Sequence, residues 1–296
     1  MPELVFPPLN YDDRLVQPNI FRATFGGLSD EAWRNVLLRS VREPEIEGVA
    51  FPRFPDADLQ SRIHGNSNED AIREAFQFFS FVKQQVGEQR LRPEARFLDF
   101  GSGWGRMLRP YMRYFDLSNI YAFEPNRLFV TIARSLNPHV NFLSGEFLPN
   151  RRIPRHMFDL IVGYSIFSHL SYNSSVAWLR ETAELLNPDG IAVFTTWGER
   201  FIDLLSVTKS QMEEGGNVHW YHQFVVEKVG DPNALRTHYE SGKFVWIRSN
   251  EDDLYGETLL SRVALQKILK DHALPLEVVA FDAKSLAQDA FLLRRL

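Results

Sequence analysis

The chain has 296 residues and no cysteine. That excludes disulfide staples, thiolate zinc sites and cysteine nucleophiles. No apolar run approaches the length of a membrane span, so no membrane partner is expected. A basic excess is missing as well. The formal net charge is −5, whereas nucleic-acid binders usually carry a basic footprint, so no nucleic-acid partner is expected. The opening has no basic-then-apolar leader, and Pro7 and Pro8 interrupt it, which makes the cytoplasm the expected location. There is no internal repeat or low-complexity tract. What is present is ordinary for a soluble globular protein with a sizeable core: 44% hydrophobic and 24% charged residues. The length suits one large domain, or a domain with an appendage, and says nothing of oligomeric state.

The organising stretch is Arg96-Phe-Leu-Asp-Phe-Gly-Ser-Gly-Trp-Gly-Arg106. Phe97, Leu98 and Phe100 form a short apolar run that reads as a buried strand. Gly101, Gly103 and Gly105 then break it, and glycine admits positive φ and lets a ligand approach the backbone. Met107, Leu108 and Tyr111 follow at helical spacing. Strand, glycine turn and helix N-terminus together make a nucleotide-binding corner, whereas a bare connecting turn would need none of the downstream pattern. The spacing is not the G-x-G-x-x-G of a dinucleotide fold. Asp99 stands at the mouth of the turn, where it would repel a pyrophosphate and suit a ligand bearing an ammonium group.

This pattern resembles motif I of the class I S-adenosylmethionine-dependent methyltransferases. About twenty residues on, a strand Ile120–Phe123 ends in Glu124-Pro125, and an acid at that distance suits a ribose diol. A third strand, Val140–Leu143, leads into Ser144-Gly-Glu-Phe-Leu-Pro149, which resembles the family's G-D-x-x-x-L-P stretch with Glu146 replacing the usual Asp. The resemblance implies S-adenosylmethionine as cofactor and S-adenosylhomocysteine as product. It implies a cofactor site drawn from Asp99, Phe100, Gly101, Ser102, Gly103, Gly105, Glu124, Pro125, Gly145, Glu146, Phe147 and Tyr164. It also implies a Rossmann-like α/β fold, with a seven-stranded, mostly parallel sheet in the order 3-2-1-4-5-7-6. The last strand of that sheet runs antiparallel, and helices cover both faces. The resemblance covers residues 95–196 and 257–296. Within it, a fourth strand is expected over Phe158–Val162, a helix capped by Asn173 or Ser174, and a fifth strand over Ile191–Thr195. A helix over Leu259–His272 and strands over Leu276–Phe281 and Ala290–Leu293 complete it.

Residues 1–92 read as an N-terminal extension and helical cap, and 93–296 as the domain that carries the chemistry. Met1–Ile20 has four prolines and no period, which predicts an extended segment. Helices are expected after Ser29, over Asp58–Ile63, and from a capping-box variant at Ser67–Asp70 to Gly87. Arg62, His64 and Asn66 are open between a structural loop and ligand contact. So are Arg151, Arg152 and Arg155, between a solvated loop and an anionic acceptor. Residues 197–256 are an insertion that the core does not need. Val218–Val226 and Lys243–Arg248 are rich in β-branched and aromatic residues, so paired strands are expected there, forming either the acceptor-side wall or an edge cover.

A sulfonium methyl is already activated, so the enzyme mainly aligns acceptor, methyl and sulfur. A hydroxyl acceptor must also lose a proton, and a base of near-neutral pKa helps. Gly163–Leu170 looks like the Ser-x-Phe-Ser/Thr-His-Leu stretch of a bacterial small-molecule and sugar-type subgroup, which puts His169 forward as base or as a pocket-shaping or helix-capping residue. His219 and His222 are rivals. No Asn/Asp-Pro-Pro-Tyr/Phe follows the fourth strand, and no double-glutamate loop is recognisable. The fourth and fifth strands end in Gly163-Tyr-Ser165 and Thr195-Thr-Trp197 rather than acids, so no metal is expected. The expected activity is metal-independent methylation of a small molecule or glycan, at a hydroxyl. N-methylation, an aminopropyl transfer and a non-catalytic cofactor-binding protein are the alternatives.

Overall fold

The computed structural model describes residues 19–249 and 254–296. The reading of Met1–Ile20 as extended therefore lies almost wholly outside the described residues. The seven strands of the main sheet are β1 (Phe97–Phe100), β2 (Ile120–Glu124), β3 (Asn141–Ser144), β4 (Phe158–Gly163), β5 (Leu186–Thr196), β6 (Leu276–Asp282) and β7 (Asp289–Arg295). Their order across the sheet is 6-7-5-4-1-2-3, which is the expected order read from the other edge. The pairs β1·β2, β1·β4, β2·β3 and β4·β5 are parallel, and β7 is antiparallel to both neighbours. Asn187–Gly190 loops out of β5 as a register shift against β4, with Asp189 at φ 59°.

Parallel strands buried on both faces need apolar side chains on both. Alternate residues divide accordingly. Phe97, Leu160, Val162, Val193 and Leu292 face one core, with Phe76, Phe79 and Trp33 of the N-terminal helices. Leu98, Phe100, Ile161, Phe194 and Phe291 face the other, with Trp178, Leu179, Leu265 and Ile268. The helices are α1 (Ile20–Phe25), α2 (Asp30–Arg39), α3 (Ala57–His64), α4 (Asn68–Val86), α5 (Arg127–Leu136), α6 (Tyr172–Leu185), α7 (Glu199–Glu213), α8 (Trp220–Val229), α9 (Pro232–Glu240) and α10 (Arg262–Asp271). Ser29 caps α2 through the Ala32 N–H, and Gly65 closes α3 at φ 80°. The capping box at Ser67 does not form. Ser67 makes no side-chain cap, and the Asn68 N–H donates to the Gln60 side chain at 2.9 Å.

Further expectations are corrected. The cap of α6 is Ser171, whose hydroxyl accepts the Ser174 N–H, rather than Asn173 or Ser174. No α-helix follows the glycine turn. Residues 101–115 are consecutive turns with one 3₁₀ segment, Arg109–Tyr111. Pro110 has no N–H for the carbonyl four residues back, which removes a bond an α-helix needs. The apolar spacing still buries Met107, Leu108 and Tyr111, so a 3.6-residue pattern does not by itself require the 3.6-residue helix. The last correction is the insertion, which is mainly helical. Val218–Val226 falls largely in α8, capped by His219 and ended by Gly230. Among the described residues Val245–Arg248 forms a strand, which pairs antiparallel with Gly256–Leu259. Val225 and Val226 pack with Phe201, Leu205, Leu235 and Tyr239 in a small core of three helices. Tertiary packing there overrides the β preference of the side chains.

Candidate active site

The carboxyl ends of β1, β2 and β4 meet at the glycine corner, where open parallel sheets bind ligands. Gly101 and Ser102 donate their N–H groups to Phe123 O at 2.8 and 3.0 Å, which pins the turn to β2. Gly101 lies at φ 73°, and a Cβ on it would come within 2.1 Å of Ile166 Cδ1, so only glycine fits. The Glu124 carboxylate closes the corner from the other side. Its Oε2 accepts from the Gly103 N–H at 2.9 Å and its Oε1 from the Asn126 N–H at 2.8 Å. Burial raises the Glu124 pKa, and those two backbone N–H groups oppose the rise.

Asp99 is 1% exposed, and its Oδ2 has no hydrogen-bond partner among the described residues. Burial pushes its pKa up to about 8. The Arg106 guanidinium opposes that and the Glu124 carboxylate adds to it. This acid is therefore held protonated at neutral pH in the ligand-free corner. A group whose folded pKa lies above its ordinary 3.8 contributes stability that is complete below about pH 4 and lost as pH rises to about 8. The melting temperature should fall across that window, and Asp99→Asn should remove most of the fall. Equal slopes for the two proteins in a thermal-shift series at pH 4–8 would contradict the assignment.

The N-terminal helices roof the corner. Ile63 lies over Gly103, and the Trp104 indole N–H donates to His64 Nε2 at 2.9 Å. Burial, with Arg106 adding to it, lowers the His64 pKa to about 3, so His64 is neutral there. Arg109 donates to the carbonyls of Pro52 and Arg53 at 2.9 and 2.6 Å. Glu74 of α4 pairs with Arg106 and accepts from the Tyr164 hydroxyl at 3.0 Å. Tyr164 is thus tied to the corner through Glu74. Gly145 is buried against the Phe123 ring, and Glu146 and Phe147 are exposed on the turn after β3.

On the other side of the β4 end, His169 Nδ1 lies 2.9 Å from Gly256 O. A carbonyl only accepts, so Nδ1 carries the proton and Nε2 keeps its lone pair. Glu257 Oε1 lies 3.4 Å from the same Nδ1, and the ring stacks on Tyr255 with centroids 4.6 Å apart. Glu257 is 1% exposed and accepts from the Trp197 indole N–H and the Tyr221 hydroxyl. Tyr255 has its pKa raised by burial and then by Glu257 and Glu124, so it lies within the field of both sides of the site. His219 caps α8 by accepting the Tyr221 N–H at 3.3 Å and is exposed. His222 lies beside it, with ring centroids 5.2 Å apart, and its pKa is lowered by burial and by His219 against an opposing Glu257. Glu257 touches His169 directly and acts on His222 through its charge.

A family model described as a methyltransferase domain matches residues 67–242. The chain belongs to that family. A curated relative, an uncharacterised methyltransferase of Oceanobacillus iheyensis, is 23% identical over 137 residues, 46% of this chain. The match spans 61% of the length of that relative. Two solved structures share the fold: a Pyrococcus horikoshii protein (14% identity, 80% of this chain and 98% of that one, TM-score 0.52) and an S-adenosylmethionine-dependent methyltransferase of Clostridium acetobutylicum (12%, 80% and 96%, TM-score 0.50).

The methyltransferase has site residues that sequence reasoning passed over. Glu257, Tyr255, Trp197 and Tyr221 around His169, and Glu74 beneath the roof, belong to no motif, and Arg106 closes the glycine stretch without having been assigned a role. Glu257 sits in a four-residue strand that is buried throughout, and a lone acid in such a strand was the available signal. Arg151, Arg152 and Arg155 take no part in either side, and Arg155 pairs with Glu181 at 3.0 Å. Among the described residues no cluster of acids and histidines could hold a metal ion, and no helix is long and apolar enough to cross a membrane.

Proposed function

We propose that this methyltransferase methylates a hydroxyl of a small molecule or glycan without a metal, using His169 as base. The observation that carries this reading is the His169 tautomer. The Nδ1–H donates to Gly256 O, which leaves the Nε2 lone pair, 3.3 Å from Ser165 Oγ, to take up a proton at the end of β4, beside the glycine corner.

S-adenosylmethionine is the cofactor, and the corner fits it. Asp99 Oδ2 and Ser102 Oγ are buried without partners, and Gly101 and Gly103 at φ 73° and 54° keep side chains out of the approach. When bound, it supplies a methyl on a sulfonium, already activated toward a nucleophile. Asp99 would face its ammonium, Glu124 its ribose hydroxyls, and Glu146 and Phe147 its adenine. Phe100, Gly105, Pro125, Gly145 and Tyr164 would complete the walls. The N-terminal residues act as a roof that excludes water, and the 197–256 insertion as the acceptor-side wall. His169 removes the acceptor proton, and Glu257 offsets the imidazolium charge that results.

Activity screening with labelled cofactor against pooled sugars, nucleotide sugars and phenolics tests the reading, and the absence of any labelled product would overturn it. Chelation gives a second test. The rate should be unchanged by EDTA, and a rate that collapses and returns with magnesium would show an unrecognised metal site. N-methylation is the second reading. The buried Glu257 carboxylate favours it, because an anion among neutral donors attracts an ammonium acceptor. Fragmentation of the labelled product distinguishes O-methyl from N-methyl.

A further inference from the structure

We propose that Ser165, His169 and Glu257 form a serine-type triad that gives this protein a second activity, hydrolysis of small esters. Ser165 stands at the sharp turn after β4 with φ 60°, a region few residues other than glycine adopt. A serine held there, between a strand of an α/β sheet and the segment leading to a helix, has the placement of a nucleophile elbow. Its Oγ lies 3.3 Å from His169 Nε2, and His169 Nδ1 lies 3.4 Å from Glu257 Oε1. Nucleophile and base are thus within reach of one another, the Nδ1–H is held by Gly256 O, and the Glu257 carboxylate stands beside the ring as a charge, a variant of the arrangement by which such triads are recognised irrespective of chain order.

The hydrogen-bond directions agree with the assignment. The Ser165 N–H donates to Thr195 Oγ1 at 2.7 Å, and the Thr195 hydroxyl donates to Gln288 Oε1 at 2.6 Å. That fixes the Gln288 amide so that its Nε2 donates to Ser165 Oγ at 2.9 Å. Having accepted that bond, the Ser165 hydroxyl can send its own proton to Ser168 Oγ at 3.1 Å or to His169 Nε2. Only the second acceptor is a base. Its lone pair is available because Nδ1 is committed as a donor to Gly256 O. Gln288 Nε2, donating to Oγ, orients the Ser165 hydroxyl so that its own proton can point to His169.

In the reaction, Ser165 Oγ bonds to the ester carbonyl carbon and His169 Nε2 takes the hydroxyl proton. The carbon–oxygen bond to the alcohol then breaks, and the proton passes from Nε2 to the departing alkoxide. Water, deprotonated by the same Nε2, attacks the acyl carbon; the bond to Ser165 Oγ breaks and Nε2 returns the proton to Oγ, giving the carboxylic acid and free Ser165. No oxidant or co-reactant is needed. Ser165 and His169 act on the reacting atoms, Gly256 O orients the ring, and the Glu257 carboxylate offsets the imidazolium charge.

The test treats the full chain with a fluorophosphonate and reads the intact mass, then maps the labelled peptide. One adduct on Ser165 is expected, and mapping on the unaltered protein needs no variant to fold. Burst kinetics with p-nitrophenyl acetate should show one acetyl group per chain. His169→Asn should slow labelling by about 10²–10⁴-fold, with the circular dichroism spectrum unchanged. No adduct after prolonged exposure, an adduct elsewhere, or labelling undiminished in His169→Asn overturns the triad. Methyl transfer is measured separately, so a chain that methylates but takes no adduct loses only this inference.

Discussion

Replacing Glu124 with alanine is expected to weaken S-adenosylhomocysteine binding by about 10²–10⁴-fold, the largest loss available from one cofactor-side residue. Two ribose hydroxyls donating to one ionised acceptor are worth about 1.5–3 kcal/mol each, and every 1.4 kcal/mol or so is tenfold in affinity. The substitution also removes the acceptor of the Gly103 and Asn126 N–H groups, so the corner loses its closure along with its ligand contact. Glu124→Gln separates the two effects. It keeps the size and one acceptor oxygen but turns an amide group toward one of those N–H donors, so its affinity should fall between wild type and alanine. Isothermal titration reads both variants, and a dissociation constant for Glu124→Ala within threefold of wild type would remove Glu124 from the site.

Replacing His169 with asparagine should lower kcat by about 10²–10⁴-fold and leave cofactor affinity almost unchanged. Asparagine is polar and of similar reach, and His169 is only partly buried, so a packing loss does not confuse the result. Glu257→Gln should cost less than His169→Asn, because it keeps an acceptor for one of Tyr221 and Trp197 while turning an amide NH2 toward the other and losing the charge that favours the imidazolium. The pH profile tells a base from a spacer. With a base, the acidic limb of kcat disappears in His169→Asn; with a pocket-shaping residue, the rate falls little and the limb remains. A full-rate variant would point to an acceptor that needs no base, or to His222, which shares the field of Glu257.

How far the chain could be read in advance depended on how local the physics was. Strand β1 and the glycine turn showed because apolar residues must fill both faces of a buried strand, and backbone that turns sharply needs glycine there. The order 6-7-5-4-1-2-3 came from the resemblance, not from periodicity. The failures also have local reasons. Met107, Leu108 and Tyr111 bury as a helix face would, yet Pro110 denies the helix its bond and the segment stays in turns. Trp220–Val229 carries β-favouring side chains, yet α7 and α9 offer them a helix-packing surface. The Ser67 capping box is absent because the Asp70 N–H it would bind donates to Ser67 O at 3.1 Å instead.

By itself the sequence determined the chemistry that backbone and neighbouring residues decide together: a composition able to fill a core, an α/β core, an acid before a glycine turn, and an acid at the end of the next strand. Only the tertiary structure decided which side chains face one another across those strand ends. Glu257 meets His169 because an antiparallel pair in the insertion delivers Gly256 O and the Glu257 carboxylate to the segment after β4, 87 residues away from His169 in the case of Gly256. Gln288 reaches Ser165 because β7 inserts beside β5, and Glu74 reaches Arg106 because α4 lies against the sheet. Such encounters follow from packing and register over the whole chain, and no window of sequence contains both partners.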